Sequence, residues 1–248
     1  MFSFFSKKEF LVDYLEGYVD IHNHILPGID DGAKNVEESI ALLKAFAEFG
    51  VRDFICTPHI MENYYPNTPE TINKSLAVLE NGLKMSNLNE FNIRVAAEHM
   101  IDSNFETILE EKKIMPLANN YLLIEMSYIQ ASINFDQEIS RIKSAGYFPI
   151  LAHPERYLYL HNKKGIYKKY KKMGLIFQLN ILSLSDYYGK DTHKIALQLL
   201  NENLIDFISS DVHRFKHLNN IKEIEIDKDL MTKLLPIIER TTNNFGTF

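Results

Sequence analysis

The side chains best suited to chemistry are histidines and carboxylates that stand at the ends of short apolar runs. His22 and His24 flank Asn23 after the run Tyr18–Ile21, and His59 comes two residues after Asp53–Thr57. Glu98 ends Asn92–Ala97, Glu125 ends Tyr121–Ile124, and His153 follows Phe148–Ala152. Asn180 follows Ile176–Leu179, and Asp211-Val212-His213 follows Asp206–Ser209. Alternate residues of an extended chain face the same way, so the imidazoles at 22 and 24 can grip one ion. Asp211 and His213 repeat that spacing. A lone histidine at a strand end is more often a hydrogen-bonded loop residue, but chance is a poor account of six runs out of seven ending in His, Glu or Asp. Imidazole and carboxylate without thiolate suit Mn, Fe, Zn or Mg. With Asp31 from the Asp30-Asp31-Gly32 turn, the set is too large for one ion and suffices for two or three that share a bridging carboxylate. Three divalent ions against Asp31, Glu98, Glu125 and Asp211 leave a surplus of +2, which a phosphate dianion matches. Clustered divalent ions lower the pKa of a shared water from about 15.7 towards 7 and clamp phosphoryl oxygens during in-line displacement, so phosphate esters are the natural substrates.

Helical patterns separate these runs. Glu37–Phe49 has Asn35 and Glu38 spaced as a capping box and Gly50 as a stop. A second helix opens at Thr68-Pro69 and carries Ile72, Leu76, Leu79 and Leu83 on one face. Further helices are expected around Asn104–Glu111, at Phe135–Ala145 behind Asn134 and Gln137, near Lys164–Met173, at Thr192–Asn203 and at Lys228–Glu239. Strands alternating with helices imply parallel strands joined by right-handed crossovers. Seven units in 248 residues, with no linker or repeat, favour an α/β single-domain distorted barrel over a doubly wound sheet. In a parallel barrel the C-terminal ends of the strands share one face, so residues almost 200 positions apart would meet on one rim. Residues 1–16 read as a short arm packed on the body, or as a segment that docks a partner, and residues 17–248 as the barrel.

Composition removes several classes. The net charge is −6 without long Lys/Arg runs, which argues against a nucleic-acid binder. One cysteine excludes an internal disulfide framework and a Cys-rich metal cage, and a reduced, cytoplasmic setting fits. No apolar run approaches the roughly 18–20 residues of a membrane span. Lys7 and Lys8 follow rather than precede the first apolar residues, unlike a signal peptide. A cysteine-type phosphatase needs Cys-x5-Arg, but Glu62 stands six residues after Cys56, which leaves Cys56 a small strand residue. His161, His193 and His217 lie in or beside helical segments and read as surface residues.

The ordered blocks HNHILPGIDDGAKNVEES, FICTPHI, AAEHM, LLIEMS, LAHPERY and SSDVH resemble the PHP (polymerase and histidinol phosphatase) superfamily. Within it they are similar to the bacterial manganese-dependent protein-tyrosine phosphatases of capsule and exopolysaccharide loci. The resemblance spans about residues 18–213 and implies a distorted, TIM-like (β/α)7 barrel, the PHP fold, with three divalent ions, most simply Mn. It implies one ion on His22, His24, Glu98 and Asp211, a second on Glu98, Glu125 and His153, and a third on Asp31, His59 and His213. Arg156 corresponds to the family's phosphate-binding arginine. Members also carry an arginine shortly after Asp-x-His; here the stretch is Arg214-Phe215-Lys216-His217-Leu218, so Arg214 or His217 takes that role, with Arg214 preferred.

The substrate implied is phosphotyrosine on the Tyr-rich tail of an autokinase that controls polysaccharide export. Tyr64 and Tyr65, in the loop after His59, either stack on that ring or pack the loop. Tyrosine's hydroxyl has a pKa near 10, so tyrosinate leaves with little help from an acid, and no dedicated acid is evident. Histidinol phosphatase chemistry, a metal-dependent amidohydrolase and a non-catalytic binder of the kinase tail are the alternatives. The amidohydrolases usually carry a lysine at the fourth strand, where Glu125 stands. Oligomeric state stays open.

Overall fold

The computed structural model describes residues 9–246. Its strands are β1 (Glu9–Phe10), β2 (Val19–Asp20), β3 (Asp53–Cys56), β4 (His59–Ile60), β5 (Asn92–Val95), β6 (Glu98–Met100), β7 (Tyr121–Glu125), β8 (Phe148–Ala152), β9 (Ile176–Asn180), β10 (Phe207–Ser209) and β11 (Glu225–Ile226). The α-helices are α1 (Val36–Ala47), α2 (Pro69–Met85), α3 (Phe105–Glu110), α4 (Phe135–Ser144), α5 (Leu158–His161), α6 (Ile166–Met173), α7 (Lys190–Asn201), α8 (Phe215–Lys222) and α9 (Lys228–Phe245).

The architecture is α/β with parallel sheets, as expected, but the strands do not form one closed ladder. Six run in the order β10-β9-β8-β7-β6-β4, three in the order β2-β3-β5, and β1 pairs antiparallel with β11. Two runs that read as single strands are each broken in two. Pro58 lacks the N–H that would continue the ladder after Cys56, and the chain steps from β3 in the small sheet to β4 in the large one. The same step occurs between β5 and β6 at Ala96-Ala97. A core cluster takes Val19, Ile55, Leu123, Ile150 and Phe207 from strands of both sheets, so the sheets share an apolar interior. The central strands are buried along nearly their whole length, as parallel strands covered on both faces must be.

Side-chain caps start three of the nine α-helices among the described residues, α1, α2 and α9. Asn35 Oδ1 accepts from Glu38 N at 2.9 Å to start α1, and Thr68 with Pro69 starts α2. Leu76, expected on the buried face of α2, is only half-buried. Asn134 makes no side-chain capping bond to α4, contrary to the expected box. The short helices α5 and α8 and the strand pair β1–β11 are additions to the expected elements. The first eight residues of the expected arm lie outside the described residues. From Glu9 onward the arm pairs with β11 and buries Leu11 and Leu15 in the core.

Candidate metal centre

Each strand-end side chain is delivered by its own element. β2 runs on into His22 and His24, whose backbone is tied to the far end of the chain: Asp211 N donates to His22 O at 2.8 Å, and His24 N to Val212 O at 2.9 Å. Buried Asp20 clamps the same seam. Its Oδ1 accepts from Ser209 Oγ at 2.5 Å and Ser210 N at 3.0 Å, and its Oδ2 accepts from Ser210 Oγ at 2.6 Å. His153 and Asp211 hold positive φ (36° and 51°), a backbone state costly for non-glycine residues and concentrated at functional sites. Gly32 lets the aspartate turn lie against β2: a Cβ there would stand 2.0 Å from His24 O.

The nine His, Asp and Glu residues read from the sequence fall into overlapping groups whose donor atoms lie within 4.8 Å of one another. His24, Asp31, His59 and His213 form one; His22, His24 and Asp211 another; His22, Glu98 and His153 a third; His59, Glu98 and Glu125 a fourth. Glu98 is the hub: its carboxylate lies 3.2 Å from His22 Nε2, 3.1 Å from His59 Nδ1 and 3.1 Å from His153 Nε2. The grouping differs in detail from that implied by resemblance, because Glu125 meets Glu98 beside His59 rather than beside His153.

Two observations test whether cations suit this cluster. First, the Nδ1 atoms of His22 and His24 are engaged by Gln178 Oε1 (2.9 Å) and Asp30 Oδ2 (2.7 Å), which act as acceptors. Both Nε2 lone pairs therefore point inward, 3.3 Å apart, at the carboxylates of Glu98 and Asp211. Second, Glu98 Oε2, Glu125 Oε1 and His59 Nδ1 are buried without a hydrogen-bond partner, although they approach to 2.9–3.1 Å. Buried lone pairs and carboxylates turned on one another are costly unless a positive charge sits among them. The residues fit divalent ions, and the mixed N/O donor set suits Mn, Fe, Zn or Mg.

The electrostatics run the same way. Burial alone would favour neutral carboxyls, yet His22 and His59 hold Glu98 well below its ordinary value. Burial and then the adjacent Glu98 push Glu125 up, the mark of two carboxylates competing for one charge. Burial and the nearby Arg156 bring His153 down to about 4, so its ring is neutral and able to donate a lone pair at neutral pH.

Arg156 lies at the cluster's edge, with Nη1 donating to Asp211 Oδ2 at 2.6 Å. Its guanidinium sits over the rings of Tyr128 (4.8 Å) and Tyr188 (4.1 Å), which fix its plane. Arg214 is exposed at the N-cap of α8, next in the chain to His213. His217, read from the sequence as a surface residue, is instead buried: its Nδ1 accepts from His213 N at 3.3 Å and braces the Asp211–His213 turn. His161 is half-buried, with Nε2 2.7 Å from Glu155 O, and His193 lies beside Asp186 on α7. Tyr65 stacks on His59 with ring centroids 5.4 Å apart, while Tyr64 is exposed.

Sequence reasoning missed Asp20, Asp30, Gln178, Tyr128 and Tyr188. Gln178 had a legible signal, a polar residue two places before Asn180 in an apolar strand, and Asn180 Nδ2 itself donates to Asp211 Oδ2 at 2.8 Å. Asp30 had none, since nothing in an Asp-Asp pair says which carboxylate turns inward.

The chain matches the family described as "Capsular polysaccharide synthesis, CpsB/CapC" over residues 18–225. It is 33% identical to the putative tyrosine-protein phosphatase CapC of Staphylococcus aureus over 196 residues, 79% of this chain and 76% of that protein. It is 30% identical to the tyrosine-protein phosphatase YwqE of Bacillus subtilis over 202 residues, 81% and 79% of the two chains. Its backbone superposes, with a TM-score of 0.78 and 28% identity, on a chain from the crystal structures of YwqE from Bacillus subtilis and CpsB from Streptococcus pneumoniae. That match covers 93% of this chain and 96% of the other, and those proteins are described as unique metal-dependent tyrosine phosphatases. With the matched region spanning the whole cluster, from His22 to His213, this chain belongs to the CpsB/CapC family of capsular polysaccharide synthesis.

Proposed function

We propose that this chain is a metal-dependent protein-tyrosine phosphatase that removes phosphate from tyrosines of a capsule or exopolysaccharide autokinase tail. One observation carries the reading: nine His and carboxylate side chains from distant parts of the chain turn their lone pairs on one another in a largely buried cluster, with Asp31 at its exposed edge. We take them to hold three divalent ions, most simply Mn: His22, His24, Glu98 and Asp211 at one, Glu98, Glu125 and His153 at a second, Asp31, His59 and His213 at a third. When bound, such ions supply a water acidified to near neutral pH and charge to stabilise the phosphoryl group in flight. The protein's own part is positioning. Arg156, held against the rings of Tyr128 and Tyr188, offers its fork to the phosphate oxygens. Gln178 and Asp30 keep Nδ1 of His22 and His24 protonated so that Nε2 stays free to bind. Tyrosinate, with a parent pKa near 10, departs without a strong acid beside it.

The fold that supports this is read as one distorted (β/α)7 barrel spanning residues 17–248. The bonds between residues 22–24 and 211–212 support closure of the seam between the sheets. A cytoplasmic setting is consistent with a single, buried free cysteine, and among the described residues no helix is long and apolar enough to cross a membrane. The test compares phosphate release from a phosphotyrosine peptide and from histidinol phosphate, each with a chelator and with Mn restored. Mn-dependent release from the peptide, lost on chelation, is expected. Full activity in metal-free protein, or preference for histidinol phosphate, would overturn the reading.

A further inference from the structure

Beside the cluster runs a groove of about 610 Å³ between the loops that follow β4, β6 and β7, three neighbouring strands of the large sheet. The chain leads into it directly from three residues of the metal centre. Met61 stands two residues after His59, Met100 two after Glu98 and Ser127 two after Glu125, and all three line it. Tyr128, next in the chain to the lining residues Ser127 and Ile129, stacks on His153 with centroids 5.7 Å apart and so joins the groove's loop to the centre.

Two features define what fits there. The rim is apolar and open: Tyr64, Ile129 and Ile133 are 76%, 86% and 98% exposed. Exposed aliphatic and aromatic side chains grouped along a groove mark a surface that binds. The charged lining is entirely acidic. Glu62, Asp102, Glu106 and Glu138 contribute, and among the described residues no Lys, Arg or His lines the groove. From outside it, Arg141 neutralises Glu106 (2.8 Å) and Glu138 (2.6 Å). Among the described residues Glu62 and Asp102 have no such cation: Glu62 accepts from Ser103 Oγ, and Asp102 accepts from the backbone N–H groups of Glu62 and Asn104. Moreover Glu138 is 5% exposed, and while its Oε1 takes Arg141, its Oε2 is buried without a hydrogen-bond partner.

We infer that this groove holds the polypeptide next to the phosphotyrosine and selects a lysine or arginine there, with apolar residues beside it. The inference rests on the phosphatase reading and deepens it. The phosphoryl end goes to the metal centre, where Arg156 and the cations the cluster would hold take a dianion, and the flanking chain goes to a groove of opposite demand. A substrate carrying both a phosphate and an adjacent cation satisfies both, and the apolar rim covers the stem of the basic side chain.

The experiment uses two phosphotyrosine peptides that differ only in flanking residues, Lys/Arg in one and Glu in the other, with the Mn-loaded full chain. The ratio of kcat/KM between them is the readout. A preference of roughly two- to fivefold for the basic peptide is expected at low salt, shrinking as exposed charges are screened. Glu62→Gln should reduce that ratio, chiefly through a higher KM for the basic peptide. A variant that merely perturbs the fold lowers both peptides alike and leaves the ratio standing, which would overturn the assignment to Glu62 and with it the groove. Equal rates on the two peptides would overturn the groove while leaving the phosphatase intact. Phosphate from neither peptide, with histidinol phosphate hydrolysed, would overturn both.

Discussion

Asp30→Asn is the most informative single substitution. The Asp30 carboxylate sits at a junction: Oδ2 lies 2.7 Å from His24 Nδ1 and 3.2 Å from His59 N, and Oδ1 lies 2.9 Å from Gly32 N. All three partners are donors, so two acceptor oxygens are required. An asparagine of the same shape has only one. If its oxygen faces His24 and His59, its amide NH2 meets Gly32 N–H and the aspartate turn that carries Asp31 is loosened. If it faces Gly32, the NH2 meets His24, which then turns its ring or moves its proton to Nε2, the nitrogen that points at Glu98 and Asp211. Either way a charge-assisted hydrogen bond in a buried site is lost, about 1.5–3 kcal/mol. Spent on the ion rather than on the fold, that is roughly a 10- to 100-fold weakening of metal affinity, the range expected for outer partners of metal-bound histidines. The assay is aryl-phosphate hydrolysis against free Mn concentration, with bound metal per chain measured in parallel and the melting temperature of the metal-free protein recorded. The half-saturating Mn concentration should rise by that factor while most of the activity returns at high Mn. Unchanged metal affinity at full activity would refute the claim that Asp30 sets the tautomer of His24.

Two other substitutions separate roles within the site. Arg156→Ala should raise KM for an aryl phosphate on the order of tenfold or more if the guanidinium binds the phosphate in the ground state; KM and kcat both unaltered would remove it from the site. Cys56→Ala should keep its activity, and thiol alkylation of the native protein should leave it active, because burial pushes this fully covered thiol above its ordinary range; inactivation with the metals still bound would contradict the assignment.

Much of the site was legible because ligand chemistry constrains residue type. His22 and His24 had to be alternate residues to face one way, and a carboxylate at Glu98 or Glu125 at the end of an apolar strand has few other uses. Helix boundaries such as Thr68-Pro69 were legible because caps act within one turn. His217 was misread because burial is a property of what packs on a residue, and α8, which carries it, has no strong local signature. The breaks at Thr57-Pro58 and Ala96-Ala97 were read through, since an apolar run looks alike whether or not its ladder partner changes midway.

The amino-acid order by itself determined which side chains could hold cations, the alternation of strands and helices, and the absence of a cysteine nucleophile, since these follow from residue type and short spacings. Only the tertiary structure decided that Asp30 rather than its neighbour orients His24, that Glu98 stands at the hub, that Arg156 lies over the rings of Tyr128 and Tyr188, and that an acidic groove opens beside the cluster. Those are distances between residues far apart in the chain, or a choice between chemically identical neighbours. They exist only once the strands have been laid side by side.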